Sequence, residues 1–326
     1  MFEKIMDIDL RLYDVADAEA WDAFCLSSYQ ATFLHTRRFL SYHGDRFQDR
    51  SLILENEGKI VGLFPAAVNP GDKACIVSHP GITYGGILNQ SSLLGEQMVS
   101  ALSKICRYYA ELGFQRLVYK AVPYIYHVTP AQDDVYALFR QGAKRFRCDL
   151  SSTIDVAYRR SVSERRKRSL RKAQRAGVEI QMDNRYLPHF WSVLEENLLQ
   201  KHQATPVHSL AEIQMLADRF PDNIKCVAGL IDEKVEAGVL LFNSPSVFHA
   251  QYIASSSAGQ NVSALDVVFE YCISRACSEN KRWFNFGIST ENVGLFLNEG
   301  LYRFKTEFGG GGTVHDFYEI NLTRDE

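Results

Sequence analysis

No apolar run in this 326-residue sequence reaches the roughly 20 residues that a membrane-spanning helix needs. The first seven residues carry acids at Glu3 and Asp7 and no long apolar core, so no secretory signal is expected there. The seven cysteines (Cys25, Cys75, Cys106, Cys148, Cys226, Cys272, Cys277) are odd in number, and no two are spaced as Cys-x-x-Cys. That argues against a disulfide framework and a zinc site, and for a cytoplasmic chain. The nine histidines are scattered without ligand spacing, so no metal is expected. There is no Gly-x-Ser-x-Gly elbow, no Walker loop and no Rossmann fingerprint. A net charge of −3 excludes a polycation built to coat nucleic acid.

What the sequence does have is core material: 46% of residues are hydrophobic and 12% aromatic. Its length suits two domains of about 150 residues. In the first half, apolar spacing predicts helices over 16–28 and 34–43, then strands over 51–55, 60–68 and 74–78. An extended stretch covers 82–88, an amphipathic helix 91–112 and a strand 116–120. The second half repeats this order, with helices over 187–200 and 208–219, strands over 225–231, 235–242 and 247–254, a helix over 262–279 and a strand over 283–286. The first two strands of each series flank a turn, at Asn56-Glu57-Gly58 and Asp232-Glu233-Lys234. We read this as an internal duplication. The expected fold is α+β, each half a mixed, mostly antiparallel sheet flanked by helices; the hairpins argue against one doubly wound sheet. The boundaries expected are 1–150 for the first domain, 151–180 for a connecting segment and 181–326 for the second.

That connecting segment is basic. Between Arg159 and Arg175 stand nine Lys or Arg residues, with Glu164 the only acid. Ser161 or Ser163 can cap a helix here, and Gly177 ends it. It is either a solvated linker or a phosphate-binding face running from Arg166 to Arg175, with Arg168, Arg171, Lys172 and Arg175 as its contacts. RNA binding favours interleaved aromatics, and Tyr158 is alone. A small phosphorylated ligand is therefore preferred, with electrostatic, peripheral membrane contact a further option.

The remaining candidates lie at strand ends. His249 and Gln251 share one face of a central strand, and Tyr252 joins them only if the strand bulges. The strand over 283–286 ends at Gly287 and delivers Asn285, Ser289 and Glu291, although the last two serve equally as caps for the next helix. That helix carries Leu297, Leu301, Phe304 and Phe308 at helical spacing and presents Arg303 and Lys305 before the glycines 309–312. In the first half, Tyr84 and Tyr126 sit in loops that either form the acceptor side of a cleft between the domains or pack as aromatic loops on the domain interface.

A strand ending in Phe286-Gly287, then Gly300-Leu301-Tyr302-Arg303-Phe304-Lys305-Thr306-Glu307-Phe308-Gly309-Gly310, resembles the Fem-type peptidyltransferases of the GNAT-like acyltransferase superfamily. The basic run ending Ala173-Gln174-Arg175-Ala176-Gly177-Val178 adds to the likeness, which is clear over 150–320 and holds in outline before it. It implies two tandem GNAT-like domains and acyl transfer to an amine of a phosphate-bearing, small-molecule or lipid-linked, cell-envelope or polysaccharide precursor. The implied donor is acetyl-CoA or aminoacyl-tRNA. Lys305 would stabilise the carbonyl oxygen, and Gln251, Tyr252 and Phe304 would shape the pocket. Acetyl-CoA enzymes of this superfamily carry a Gln/Arg-x-x-Gly-x-Gly/Ala loop before the long helix; residues 255–264 lack it. Two other readings are a CoA-dependent N-acetyltransferase of a small amine and a non-catalytic nucleotide- or RNA-binding protein on the same scaffold.

Overall fold

The computed structural model describes residues 6–323, and for Lys201 and His202 the backbone alone. Residues 1–5, where most of the amino-terminal reading falls, and the His202 ring lie outside the described residues. The chain divides into two compact units. One runs to Asp149 and adds Asn292–Leu295 and the chain from Val314; the other holds Leu150–Glu291 and Phe296–Thr313.

In chain order the first stretch comprises β1 (Asp9–Leu12), α1 (Ala18–Ser27), α2 (Arg37–Leu40), β2 (Leu52–Asn56), β3 (Lys59–Phe64), β4 (Ala67–Asn69), β5 (Asp72–Val77), β6 (Leu88–Asn89), α3 (Glu96–Glu111), β7 (Arg116–Lys120), α4 (Asp133–Arg140) and β8 (Lys144–Asp155). The helix expected over 34–43 is only α2, flanked by two 3-10 turns. The strand expected over 60–68 splits at Pro65, whose ring removes a ladder donor, and its halves enter different sheets. β1-β2-β3-β6 form one sheet, packed on Trp21, Phe24 and Cys25 of α1 through Ile53, Leu63 and Leu88. In the other, β4 pairs antiparallel with β5, and β5 pairs parallel with β7. Ile76, Leu117 and Tyr119 of these strands pack on Met98, Leu102 and Ile105 of α3.

The elements that follow are α5 (Glu164–Arg175), β9 (Glu179–Met182), α6 (Leu187–His202), α7 (Leu210–Arg219), β10 (Ile224–Ile231), β11 (Lys234–Asn243), β12 (Val247–Ser255), α8 (Ser257–Val262), α9 (Ala264–Ser278), β13 (Trp283–Ile288), β14 (Thr290–Glu291), β15 (Phe296–Leu297), α10 (Glu299–Thr306) and β16 (Gly311–Asn321). In the second unit the strand order is β8-β13-β12-β11-β10-β9. Only β12 and β13 pair parallel within it. Val268, Phe269, Cys272 and Ile273 of α9 cover one face, against Val239, Leu241, Phe248, Phe284 and Phe286. The helix expected over 262–279 is broken by Ser263, whose φ is +63°. β16 returns to the first unit and pairs antiparallel with β7. The architecture is α+β, with mixed sheets flanked by helices.

Local signals explain several helix starts. Ser209 accepts the Glu212 N–H at 3.2 Å, and the Glu212 carboxylate accepts the Ser209 N–H at 2.8 Å. This reciprocal cap opens α7. Ser209→Ala is expected to destabilise the fold by about 1 kcal/mol, read as a lower urea midpoint with unchanged m-value.

Candidate active site

β12 and β13 run side by side only from Val247↔Trp283 to His249↔Asn285, although β12 continues to Ser255 and β13 to Ile288. The strands therefore part, and main-chain groups beyond the split have no ladder partner on that side. Both strands are irregular at this point. Against β11, Leu240 faces Tyr252 while Leu241 faces Ala250, so Gln251 is an inserted residue. Against β8, the register shifts between Asn285 and Ile288, around Gly287 with its φ of +76°. A β-carbon on Gly287 would lie 3.5 Å from the Ala250 carbonyl oxygen, so the contact is open but the backbone favours glycine.

The bulge decides the chemistry of one face. Phe248 and Ala250 point into the α9 core; past Gln251 it is Ile253 that does so. His249, Gln251 and Tyr252 thus share the opposite face. The Asn285 amide donates to Ser151 Oγ at 2.9 Å and Thr153 Oγ1 at 2.8 Å, which fixes its orientation. Its Oδ1 accepts the Gly287 N–H at 2.9 Å and lies 2.8 Å from His249 Nδ1. With Asn285 so oriented, His249 carries its proton on Nδ1 and keeps a lone pair on Nε2. Burial pushes the His249 imidazole down to about 4, aided by the Lys305 charge, so the ring is neutral at pH 7. The Tyr252 hydroxyl lies 2.6 Å from His208 Nδ1, and its ring meets Trp191 edge-on at 5.0 Å. Burial pushes that hydroxyl up to about 12, so it stays protonated. The sequence held no signal for His208, which looked like one more scattered histidine, and Ser151 and Thr153 sit on a strand that was not read.

Lys305 is 4% exposed and donates to the carbonyls of Gly287 at 3.1 Å and Ile288 at 2.6 Å, at the parting end of β13. An ammonium has three donors, so one remains for another acceptor. Burial pushes the amine down to about 7. Phe304 turns elsewhere: it packs on the α9 core with Phe269 and Phe308 and under the Arg166 guanidinium, which makes it structural. Ser289 and Glu291 hold the segment that delivers α10. Ser289 exchanges main-chain hydrogen bonds with Leu150 and Asn298, and the Glu291 carboxylate accepts from the Asn298 amide at 3.0 Å. The Asn298 side chain in turn caps Leu301.

The basic helix is two-sided. Arg166 is buried, 2.9 Å from Asp266 on α9 and 3.2 Å from Glu307, so the expected phosphate-binding face loses its first member to the core. Arg168, Arg171, Lys172 and Arg175 are exposed. Asp266 lies buried in the first turn of α9, just past residues 255–264 where a pyrophosphate loop is expected. Residues 257–262 instead form α8, whose Gly259 packs against the Glu236 carbonyl.

In the first unit Tyr84 and Tyr126 are 4% and 2% exposed, with ring centroids 4.4 Å apart. They are interior aromatics and offer a substrate no surface, which corrects their assignment to an acceptor cleft. The parallel pair β5/β7 is also closed by the chain itself. Ser78 donates its N–H to the Val118 carbonyl and accepts the Lys120 N–H on its hydroxyl, while Gly85 donates to the Lys120 carbonyl. A β-carbon on Gly85 would come within 2.1 Å of the Ser78 carbonyl oxygen, so the plug fits only as glycine. Buried Lys120 donates to the carbonyls of His79 and Ile82. Among the described residues no cluster is placed to hold a metal ion. No described helix is long and apolar enough to cross a membrane.

Residues 158–306 match the family model described as an acetyltransferase (GNAT) domain. A search of curated proteins found no match. Among solved structures, FemX superposes with a TM-score of 0.68 at 11% identity, over 96% of this chain and 97% of that one. L-PGS from Bacillus licheniformis gives 0.62 at 12% identity, over 94% and 91%. A tandem GNAT protein from the clavulanic acid biosynthesis pathway gives 0.52 at 10%, over 98% and 100%. The parted parallel strands, the bulge and these likenesses define a GNAT-like fold in its tandem form. Residues 158–306 are therefore a GNAT-type acyltransferase domain, which makes the chain an N-acyltransferase, and the likeness to FemX shows a shared fold.

Proposed function

We propose that the second unit transfers an acyl group to an amine in the opening between β12 and β13, on a phosphate-bearing cell-envelope or polysaccharide precursor. The amine nitrogen attacks the acyl carbonyl, the carbonyl π electrons move onto oxygen, and the leaving group departs with its electron pair and takes up the proton the amine releases. Lys305 is the residue for the developing oxyanion, because it is a buried cation with a spare donor at the parted strand end. That observation carries the reading. Gln251 and Tyr252 line the same face, and Asn285 holds His249 in one tautomer. Residues 257–262, which form α8 where a CoA pyrophosphate loop is expected, support an aminoacyl ester on tRNA as donor. The description of the matched domain favours the second reading, N-acetylation of a small amine from acetyl-CoA. Thermal shift and transfer of radiolabel from acetyl-CoA and from aminoacyl-tRNA separate the two. Stabilisation and transfer with aminoacyl-tRNA alone is the expected result; transfer from acetyl-CoA alone overturns the choice of donor.

A further inference from the structure

We infer that α5 is a docking ridge for an anionic membrane surface. Arg168, Arg171, Lys172 and Arg175 fall at i, i+3, i+4 and i+7 and form one stripe on the outside of the helix. Arg165 flanks the stripe, also exposed. None of these five has a carboxylate within ion-pair distance among the described residues, and the acids nearby are taken: Glu164 by Lys167, Asp266 and Glu307 by Arg166, and Glu270 by Arg159. The inner face, Arg166 and Ala173, is buried and fixes which way the stripe points. The stripe lines none of the four described cavities, and so offers a small diphosphate no walls among them. An exposed cationic helix of 12 residues, about 18 Å long, matches a flat array of phosphates instead. Tyr158, 83% exposed just upstream of the helix, is an aromatic of the kind that settles at a headgroup layer. RNA offers phosphates too, but the stripe has no aromatic side chain on which a base would stack. The surface deepens the reading above by placing the acceptor in a bilayer, yet it rests on charge and exposure and not on the catalytic assignment.

The test is co-sedimentation of the full chain with vesicles of phosphatidylcholine alone or with about one-third phosphatidylglycerol, over a series of NaCl concentrations. Each cation at an anionic surface contributes about fivefold, so binding to the mixed vesicles is expected. That binding should fade as salt shortens the Debye length below about 10 Å. Arg168→Glu, Arg171→Glu and Arg175→Glu together should weaken it by at least about a hundredfold with an unchanged melting temperature. Equal binding to both vesicle types, or binding indifferent to the triple variant, overturns the inference. So does bulk tRNA displacing the protein from vesicles through the same three arginines. Lys172→Glu alone, expected to reduce binding about fivefold or more, keeps the test open if the triple variant fails to fold. The assay does not involve turnover, so its failure leaves the proposed acyl transfer standing, and failed transfer leaves the docking surface standing.

Discussion

Lys305→Met is expected to lower kcat by about 100- to 1,000-fold, the effect of removing one preorganised oxyanion donor, worth about 2.7–4 kcal/mol. Methionine keeps the length and apolar stem of lysine, so α10 retains its packing. The carbonyls of Gly287 and Ile288 lose a partner, and a modest loss of stability should accompany the kinetic effect. KM for the acceptor should hardly move, because the cation meets charge that exists only in the transition state. The pH profile gives an independent check. With the amine pushed down to about 7, the ammonium disappears as pH rises through 7, and turnover should fall with it. Stability runs in the opposite direction. The folded state disfavours the ammonium, so raising pH from 7 toward the ordinary lysine value of 10.5 stabilises the fold. Lost activity above pH 7 with a rising melting temperature therefore cannot be unfolding. In the methionine variant that alkaline limb should vanish from the residual rate. A methionine variant that turns over at the wild-type rate removes Lys305 from the mechanism.

Arg166→Met should cost about 3–5 kcal/mol of stability at pH 7.5, because it leaves Asp266 buried without its cation and takes one of two arginines from half-buried Glu307. The guanidinium also lies over the Phe304 ring, 4.7 Å from its centre, so packing is lost along with charge. The deficit should shrink at low pH. Burial already pushes the Asp266 carboxyl up to about 6, while Arg166 draws it back. Without the arginine, Asp266 is expected to take a proton at still higher pH, which relieves the uncompensated charge as pH falls. Urea unfolding at pH 7.5 and pH 5 measures both quantities. A deficit identical at the two values would mean that the lost packing, and not the stranded carboxylate, is responsible.

Arg166 also shows what could be read from the sequence. Its place on the buried side of α5 was available, since Arg166, Leu170 and Ala173 recur at i, i+4 and i+7 amid charged positions. Counting charge in place of phase made it look like one more surface arginine. The hairpins were legible because turn residues act locally: Asp232 and Glu233 both take positive φ between β10 and β11. β16 was not legible. It begins inside a run of four glycines read as a stop, and its partner β7 lies about 200 residues earlier. Nor does a sequence show that Lys305 is buried while Arg303, two residues earlier on α10, is exposed. Tyr84 and Tyr126 failed for the converse reason, since a tyrosine in a loop is equally suited to a binding surface and to an interior stack.

The extra residue in β12 makes the strand a carrier of parity. Up to Ala250 the even-numbered side chains face α9 and His249 faces the site; from Tyr252 on, the even-numbered ones face the site. A single inserted residue thus lets neighbours that ordinary pleating would send to opposite sides stand together. Shortening the strand by Gln251 would leave every pairing partner on β11 in place and every side chain up to Ala250 where it is. It would bring Tyr252 next to Ala250 by sequence as well as by ladder and restore ordinary alternation along the strand. The face proposed for catalysis is thus a counting irregularity as much as a set of residues.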